Sequence, residues 1–335
     1  MTTAISGTSG ITFPDASIQS TAATGVVSSN RLINGAMAVS QRNGTASQTI
    51  TAGAALAYTV DRWYAYSTGA NVTGQQVAGT FASSQYRYQF TGAASVTAIG
   101  FGQRIEQLNS FDLANTTATL SCYISNSLLT TVTWTASYAN TANTFGSLAS
   151  PTVTQIATGT FTVSSTRTQY VTNISIPSAA TTGIQIVFTV GAQTSGTWIV
   201  DSIQLEKGPS ATSFGVRPYG TELMLCQRYY YRTPTVGVIS TSGYATNTTV
   251  SALCVQYPVT LRDTPTALEQ SGTASNYSIV TASSGSVTCT SVPTISTATS
   301  VQSMRVSIAV ASGLTAGQFA ELRTTAGYLG FSAEL

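Results

Sequence analysis

The chain has 335 residues, enough for one large domain or several ordinary ones, and only 7% of them are charged. An ordinary soluble domain carries about 25% charged residues. There is no histidine, which excludes a histidine-dependent catalytic triad and a zinc site built on histidine. The single lysine, Lys207, precedes Gly208 rather than the Ser or Thr of a phosphate-binding loop.

The charge pattern also argues against nucleic-acid and membrane partners. Thirteen basic and eleven acidic residues are scattered along the chain, whereas a duplex-binding surface needs clustered Lys and Arg. The most apolar stretch, IQIVFTV, has the length of a strand and is far shorter than the ~18 residues of a spanning helix. The opening MTTAISGTSG lacks the basic and apolar regions of a signal peptide. We therefore expect a protein made in a cytoplasm and not inserted in a membrane.

Residues 1–29 form a first segment that is polar and poor in charge. A segment of this length cannot bury a core alone. It is therefore either disordered or ordered against copies of itself or against another protein.

Residues 30–208 read as a two-sheet sandwich. Strand-forming residues alternate with polar ones over short segments that recur at the spacing typical of β-sandwiches. Eight or nine strands over this length favour a jelly roll over a seven-stranded immunoglobulin domain. The segments are AYTVDRWYAY, QYRYQF, SVTAIGF, ATLSCYIS, TTVTWTASYA, GTFTVSS, QYVTNISI, GIQIVFTV and TWIVDSIQLE.

Residues 209–232 begin as a Gly-, Ser- and Pro-rich linker and continue as the best helix candidate, TELMLCQRYYYR. Thr221 can cap this helix, and Leu223, Cys226 and Tyr230 fall on one stripe. Residues 233–335 return to strand patterns and predict a second, smaller β-sandwich. The predicted fold class is thus all-β, with one short linker helix.

Two further features concern association and redox state. Cys122, Cys226, Cys254 and Cys289 lie far apart without a CxxC pair, which favours buried free thiols over a disulfide or a metal site. A surface with so little charge does little to keep copies apart, which favours an oligomer that buries part of it.

Three separated motifs resemble bacteriophage tail-fibre and virion-spike proteins. GITFPDASIQSTA, at residues 10–22, is similar to a segment near the start of phage fibre chains, although Ala16 stands where a Gly is usual. RLINGAMAVSQRNG followed by YTVDRWY is similar to the opening of carbohydrate-binding-like jelly rolls in these fibres. Residues 200–232 resemble the exit of that domain, where a strand ending in QLE leads to an RP dipeptide and a CQRYY helix.

The resemblance implies a homotrimeric virion appendage. Its N-terminal segment would dock to another virion protein through the motif Phe13, Pro14 and Asp15. Its jelly roll would bind host-surface polysaccharide. The protein is then a tail fibre or spike that mediates adhesion. The alternatives are a head-fibre or capsid decoration protein without a specific ligand and, more weakly, a capsule depolymerase.

Sugar sites combine aromatic rings with planar polar groups, and the predicted strand QYRYQF supplies both. In QYRYQF, one side of the strand carries Gln and Arg and the other carries the rings. For each aromatic candidate, core packing is the alternative to a sugar contact. The candidates are Gln85, Arg87, Gln89, Tyr64, Tyr66 and Trp134.

The sequence also suggests a metal site, an aromatic junction and a pair of acids. Asp201 sits where similar jelly rolls hold a structural calcium, with pairing to an arginine as the alternative. Tyr229, Tyr230 and Tyr231 form an aromatic cluster expected at a domain or oligomer junction. Glycan hydrolysis needs two carboxylates at a defined separation, and no two acids are close in sequence. Glu106 and Asp112 could still meet in space, but we expect no enzyme and no cofactor beyond that calcium.

Overall fold

Two six-stranded antiparallel sheets face each other and form a jelly-roll β-sandwich over the first two thirds of the chain. The computed structural model describes residues 30–81 and 84–335, apart from the side chains of residues 297 and 298. It also describes three short strands earlier in the chain, Ala4–Ser6 (β1), Gly10–Thr12 (β2) and Ile18–Gln19 (β3), which pair as a small antiparallel sheet.

The strands of the sandwich follow the chain from residue 48 to residue 207. In spatial order, sheet 1 contains β13 (Thr168–Ile176), β10 (Thr116–Asn126), β15 (Thr197–Lys207), β8 (Ser84–Thr91), β7 (Val72–Phe81) and β4 (Gln48–Ile50). Sheet 2 contains β12 (Val153–Thr162), β11 (Thr131–Ala139), β14 (Ile184–Val190), β9 (Ala98–Ile105), β6 (Tyr64–Thr68) and β5 (Ala57–Tyr58).

The core between the sheets follows from the alternation in the strands. In β14, Ile184, Ile186, Phe188 and Val190 are buried, and the residues between them are only partly covered. Aromatic rings continue this packing across the sandwich. Trp63 stacks on Phe101 with 4.8 Å between ring centroids, and Phe90 stacks on Trp198 at 5.0 Å. Rings in such contact stabilise a core beyond the area they bury.

The structure differs from the sequence prediction in strand number. Twelve strands, rather than eight or nine, form the two sheets in the described part of the chain. The segment AYTVDRWYAY is not one strand: Ala57–Tyr58 and Tyr64–Thr68 pair as a hairpin around a turn that contains Arg62 at φ +72°. Strand β7, VTGQQVAGTF, was missed because its glycines, Ala and paired Gln residues weaken the alternation.

The C-terminal part of the chain contains three smaller antiparallel sheets. The first has β16 (Tyr230–Arg232), β26 (Leu329–Ser332) and β20 (Leu268–Gln270). The second has β17 (Gly237–Ser240), β25 (Glu321–Thr324), β21 (Tyr277–Thr281) and β22 (Gly285–Thr288). The third has β18 (Gly243–Ala245), β19 (Val250–Gln256), β24 (Ser303–Ala309) and β23 (Thr294–Thr299). They share a second hydrophobic core, separate from that of the jelly roll.

The predicted helix is shorter than expected and begins earlier. Helix α1 spans Tyr219–Gln227, with Pro218 rather than Thr221 at its N-cap. Tyr230–Arg232 is a strand, because it pairs with Leu329–Ser332, a partner more than ninety residues away in the sequence. Three short 3₁₀ helices lie at Gln107–Asn109, Phe111–Leu113 and Ala274–Asn276. The domain boundaries at residues 29, 208 and 232 stay predictions.

Candidate functional site

The six glycan candidates do not form one site. Gln85, Arg87 and Gln89 lie on the outer face of sheet 1, with Tyr88 and Phe90 turned into the core. The other three residues belong to sheet 2, on the opposite side of the sandwich.

Trp134 belongs to the hydrophobic core, and the hypothesis that it contacts a glycan is therefore corrected. Its ring is buried and packs with Phe161 at 6.5 Å between centroids. Gly159, its cross-strand neighbour, lets the indole lie close to the backbone, since an added Cβ would come within 2.7 Å of the ring.

The outer face of sheet 2 carries an open tyrosine ring. Tyr66 pairs with Gly100 across β6 and β9, and both residues belong to the outward row of the sheet. A Cβ on Gly100 would lie 2.1 Å from two ring atoms of Tyr66, so only glycine lets this ring lie flat on the strand. Gly102 pairs in the same way with Tyr64, and a Cβ added to Gly102 would lie 2.7 Å from the hydroxyl oxygen of Tyr64. The two glycines thus set the positions of both tyrosines.

A cleft of about 320 Å³ opens beside these tyrosines. Tyr64 is buried at its base, whereas Tyr66 is only partly covered and offers a ring face. No acid is present among its described lining residues. They are Leu56, Tyr64, Tyr66, Arg104, Phe145, Ser147, Leu148, Pro151, Gln185 and Val187.

Arg104 is held in this cleft by hydrogen bonds to three oxygens. Its Nε donates to Oε1 of Gln185 at 3.0 Å, and its two terminal nitrogens donate to the backbone oxygens of Gly146 at 2.9 Å and Leu335 at 2.7 Å. The guanidinium carbon lies 5.5 Å from the centroid of the Tyr64 ring. The cleft therefore presents a fixed guanidinium, an amide and a ring, the groups that bind hydroxyl-rich ligands.

The phenols near the cleft stay neutral. Burial raises the pKa of Tyr64 well above its ordinary value, although Arg104 opposes this shift. Burial also raises the pKa of Tyr58, whose hydroxyl donates to the backbone oxygen of Leu335 at 3.0 Å. Both hydroxyls can therefore act as donors at any physiological pH.

The outer face of sheet 1 has a different chemistry. The guanidinium of Arg167 lies between the rings of Phe81 and Tyr123, at 4.0 and 3.7 Å from their centroids. Arg87 donates only to the backbone oxygen of Ala78, at 3.2 Å, and its Nε has no partner among the described residues. The Gln85, Arg87 and Gln89 row is thus exposed or half-buried, and Gln85 lines a separate cavity of about 260 Å³.

Asp201 has the arginine partner that the sequence left open as the alternative to calcium. Its two carboxylate oxygens accept from Nε of Arg167 at 2.9 Å and from a terminal nitrogen of the same guanidinium. Calcium takes six to eight oxygen ligands. In the described part of the chain no three Cys, Asp or Glu residues gather at one place, and the calcium at Asp201 stays a prediction.

The acids considered for hydrolysis each bind an arginine. Glu106 pairs with Arg228 at 3.2 Å, and Asp112 pairs with Arg31 at 2.8 Å. Burial raises the pKa of Asp61 to about 6, against the hydrogen bonds that Gln41 donates to it. Asp61 is fully buried within the turn of the hairpin and is not among the residues that line the cleft.

The Tyr229–Tyr231 run lies where the jelly roll meets the C-terminal sheets. The Tyr229 and Tyr230 rings are buried under the guanidinium groups of Arg62 and Arg42, each 3.5 Å from the ring centroid. Tyr231 stacks on Phe331 in the second core. These rings contact both β regions of the same chain.

Two predicted features remain to be placed. Phe13, Pro14 and Asp15 lie outside the described residues. In the part of the chain that the structure describes, no helix has both the length and the apolar character to cross a membrane.

Comparison with known proteins gives structural neighbours only. No family model and no curated protein matches the sequence. An enzymatically active tailspike domain of bacteriophage CBA120 is similar at 17% identity and a TM-score of 0.32, over 44% of this chain and 19% of that one. The carbohydrate-binding module CBM4 is similar at 17% identity and 0.33, over 52% and 98%. A family 11 carbohydrate-binding module from Clostridium thermocellum is similar at 13% identity and a TM-score of 0.31, over 49% of this chain and 98% of that one.

Sequence reasoning missed Arg104 and Gln185, which line the cleft with Tyr66. Arg104 lies beyond the predicted segment SVTAIGF, near the end of β9, and Gln185 lies within the most apolar segment of the chain. The only available signal was the GFGQR spacing in β9, where glycines alternate with larger residues. In a strand this pattern leaves room on one face for neighbouring rings.

Proposed function

We propose that the protein is a phage virion fibre or spike that attaches to host-surface glycan without hydrolysing it. The observation that supports glycan binding is the position of the Tyr66 ring. It lies over Gly100, beside a cleft lined by Arg104 and Gln185. An aromatic face can stack on the apolar side of a sugar ring, while the planar polar groups bond to its hydroxyls.

The positions of the acidic residues support the proposal that the protein binds glycan without catalysis. None of the described residues that line the cleft is acidic. Hydrolysis of a glycosidic bond by two carboxylates needs both of them beside the sugar. The virion part of the proposal rests on the sequence motifs at residues 10–22, 31–44 and 200–232. In a homotrimer, three weak sites would gain avidity because later contacts become intramolecular.

Titration with host-surface polysaccharide tests the sugar site. We expect Tyr66→Ala to weaken binding by about tenfold or more, because the stacking face is lost. Tyr66→Phe keeps the ring and serves as the matched control, with binding close to wild type. Equal binding by all three proteins would overturn the assignment of the cleft.

Immunolabelling of intact particles tests the virion role. Label on the tail, together with binding of the purified protein to host cells, supports adhesion. Label on the head without binding to any host glycan would instead favour the decoration protein. Release of reducing ends from host polysaccharide would overturn the proposal that the protein only binds.

A further inference from the structure

Arg305, in the C-terminal β region, is the one basic residue that has no polar partner among the residues the structure describes. Every other arginine and Lys207 forms a hydrogen bond or an ion pair with a described residue, from Arg31 with Asp112 to Arg323 with Glu321. Arg305 forms neither within the described part of the chain, and its guanidinium carbon lies 5.6 Å from the ring centroid of Tyr244. In a chain with so few charges, this cation is unusual.

Arg305 shares one outer sheet face with exposed aromatic rings. Tyr244 pairs with Ala252, and Ala252 pairs with Ser307, so these residues point to the same side of the sheet. Arg305 lies two residues before Ser307 on β24 and therefore points to that side as well. Leu253 and Val306, on the opposite side, are buried in the second core.

Phe319 extends this face beyond the edge strand. It forms an isolated antiparallel bridge with Tyr244, which places the two side chains next to each other on one side. The two rings are 42% and 55% exposed, respectively. Large apolar side chains that remain exposed together mark interaction surfaces more often than single ones do.

We propose that Tyr244, Phe319 and Arg305 form a second carbohydrate-binding site, which takes a saccharide with a carboxylate group. The rings offer two faces for sugar stacking. The guanidinium, which has no counterion among the described residues, supplies the bidentate donor that a carboxylate accepts. A neutral sugar would leave that charge uncompensated, so the site prefers acidic sugars such as uronates. This site lies in a different β region from the jelly-roll cleft and does not depend on it.

The experiment uses the full chain carrying Tyr66→Ala, which removes the stacking ring of the jelly-roll cleft. The probes are oligosaccharides of polygalacturonate, alginate and hyaluronate, each beside its carboxyl-reduced form, titrated by calorimetry. We expect at least one acidic probe to bind and its reduced form to bind about tenfold more weakly or worse. Arg305→Gln should cause a similar loss, and Tyr244→Ala should weaken both forms.

Arg323→Gln is the matched control, because Arg323 is an exposed arginine of the same region that pairs with Glu321. It should leave binding within about twofold of the parent. An equal loss for Arg305→Gln and Arg323→Gln would show unspecific attraction and overturn the site. Equal binding of acidic and reduced probes, or no binding of any acidic probe, would overturn it too. The jelly-roll cleft is judged separately, by Tyr66→Ala and Tyr66→Phe in the otherwise unchanged chain.

Discussion

Arg62 and Glu334 form a buried ion pair. It joins the turn of the jelly-roll hairpin to the residues that follow β26. Their side chains are 1% and 4% exposed, and Arg62 also donates to the backbone oxygen of Arg104. Glu334 lies beside Leu335, whose backbone oxygen accepts from Arg104 and Tyr58. The C-terminal residues therefore hold Arg104, which lines the cleft beside Tyr66.

Removing the charge of Glu334 is expected to destabilise the protein strongly. In Glu334→Gln, Arg62 stays buried without its counterion, which costs about 3 kcal/mol or more of unfolding free energy. Urea unfolding measures this loss. Glu321→Gln is the control, because it breaks a pair whose arginine is half-exposed and should cost less than about 1 kcal/mol. Similar losses in both variants would contradict the role given to the buried pair.

Asp61 makes stability depend on pH. Burial raises its folded-state pKa to about 6 from 3.8, so the folded state binds its proton more tightly than the unfolded state. This group therefore lowers the unfolding free energy as pH rises from about 4 to above 6, by up to about 3 kcal/mol. The carboxylate is most costly above pH 6, where it is ionised in both states.

Asp61→Asn should remove this contribution. We expect the difference in unfolding free energy between variant and wild type to change with pH between 4 and 7, in favour of the variant as pH rises. A constant offset is also expected, because an amide replaces an acceptor of two Gln41 hydrogen bonds. Urea unfolding at several pH values measures the slope, and a difference independent of pH would contradict the prediction.

The fold class could be predicted from local alternation, but the sites could not. Alternation in QYRYQF predicts which row of β8 is buried, and the structure has Tyr88 and Phe90 inside. It does not predict that Gln89 and Tyr66 belong to opposite sheets, because this depends on strand order. The Arg62–Glu334 pair depends on contacts between residues 272 positions apart, for which one sequence carries no signal.

The helix error has a similar cause. TELMLCQRYYYR has one helical stripe, and the local pattern does not indicate where it ends. Tyr230–Arg232 instead pairs with Leu329–Ser332 in a sheet, and Tyr231 packs against the second core. Tertiary contacts of this kind override helix propensity.

The four thiols should react unequally. All four cysteines are free; Cys122, Cys226 and Cys289 are buried, whereas Cys254 is only partly covered. Burial raises the pKa of Cys289 to about 12 and raises that of Cys226 well above its ordinary value. Because the thiolate is the reactive form, we expect Ellman's reagent to modify one thiol in the native protein and four in denaturant. Cys254→Ser should abolish the native reaction, and a fast reaction that persists in this variant would contradict the burial of the others.

Gly100→Ala tests how the proposed sugar cleft is built, without removing any group that would contact a ligand. The added methyl would lie 2.1 Å from ring atoms of Tyr66, so the ring must lift off the strand. We expect glycan affinity to fall about tenfold, as in Tyr66→Ala, while the two changes combined should cost little more than either alone. Gly191→Ala is the control, because nothing lies within 4 Å of an added Cβ there. Calorimetric titration, after circular dichroism has verified the fold, measures the effect. Full additivity of Gly100→Ala and Tyr66→Ala would mean that the glycine acts on binding by a route other than the position of this ring.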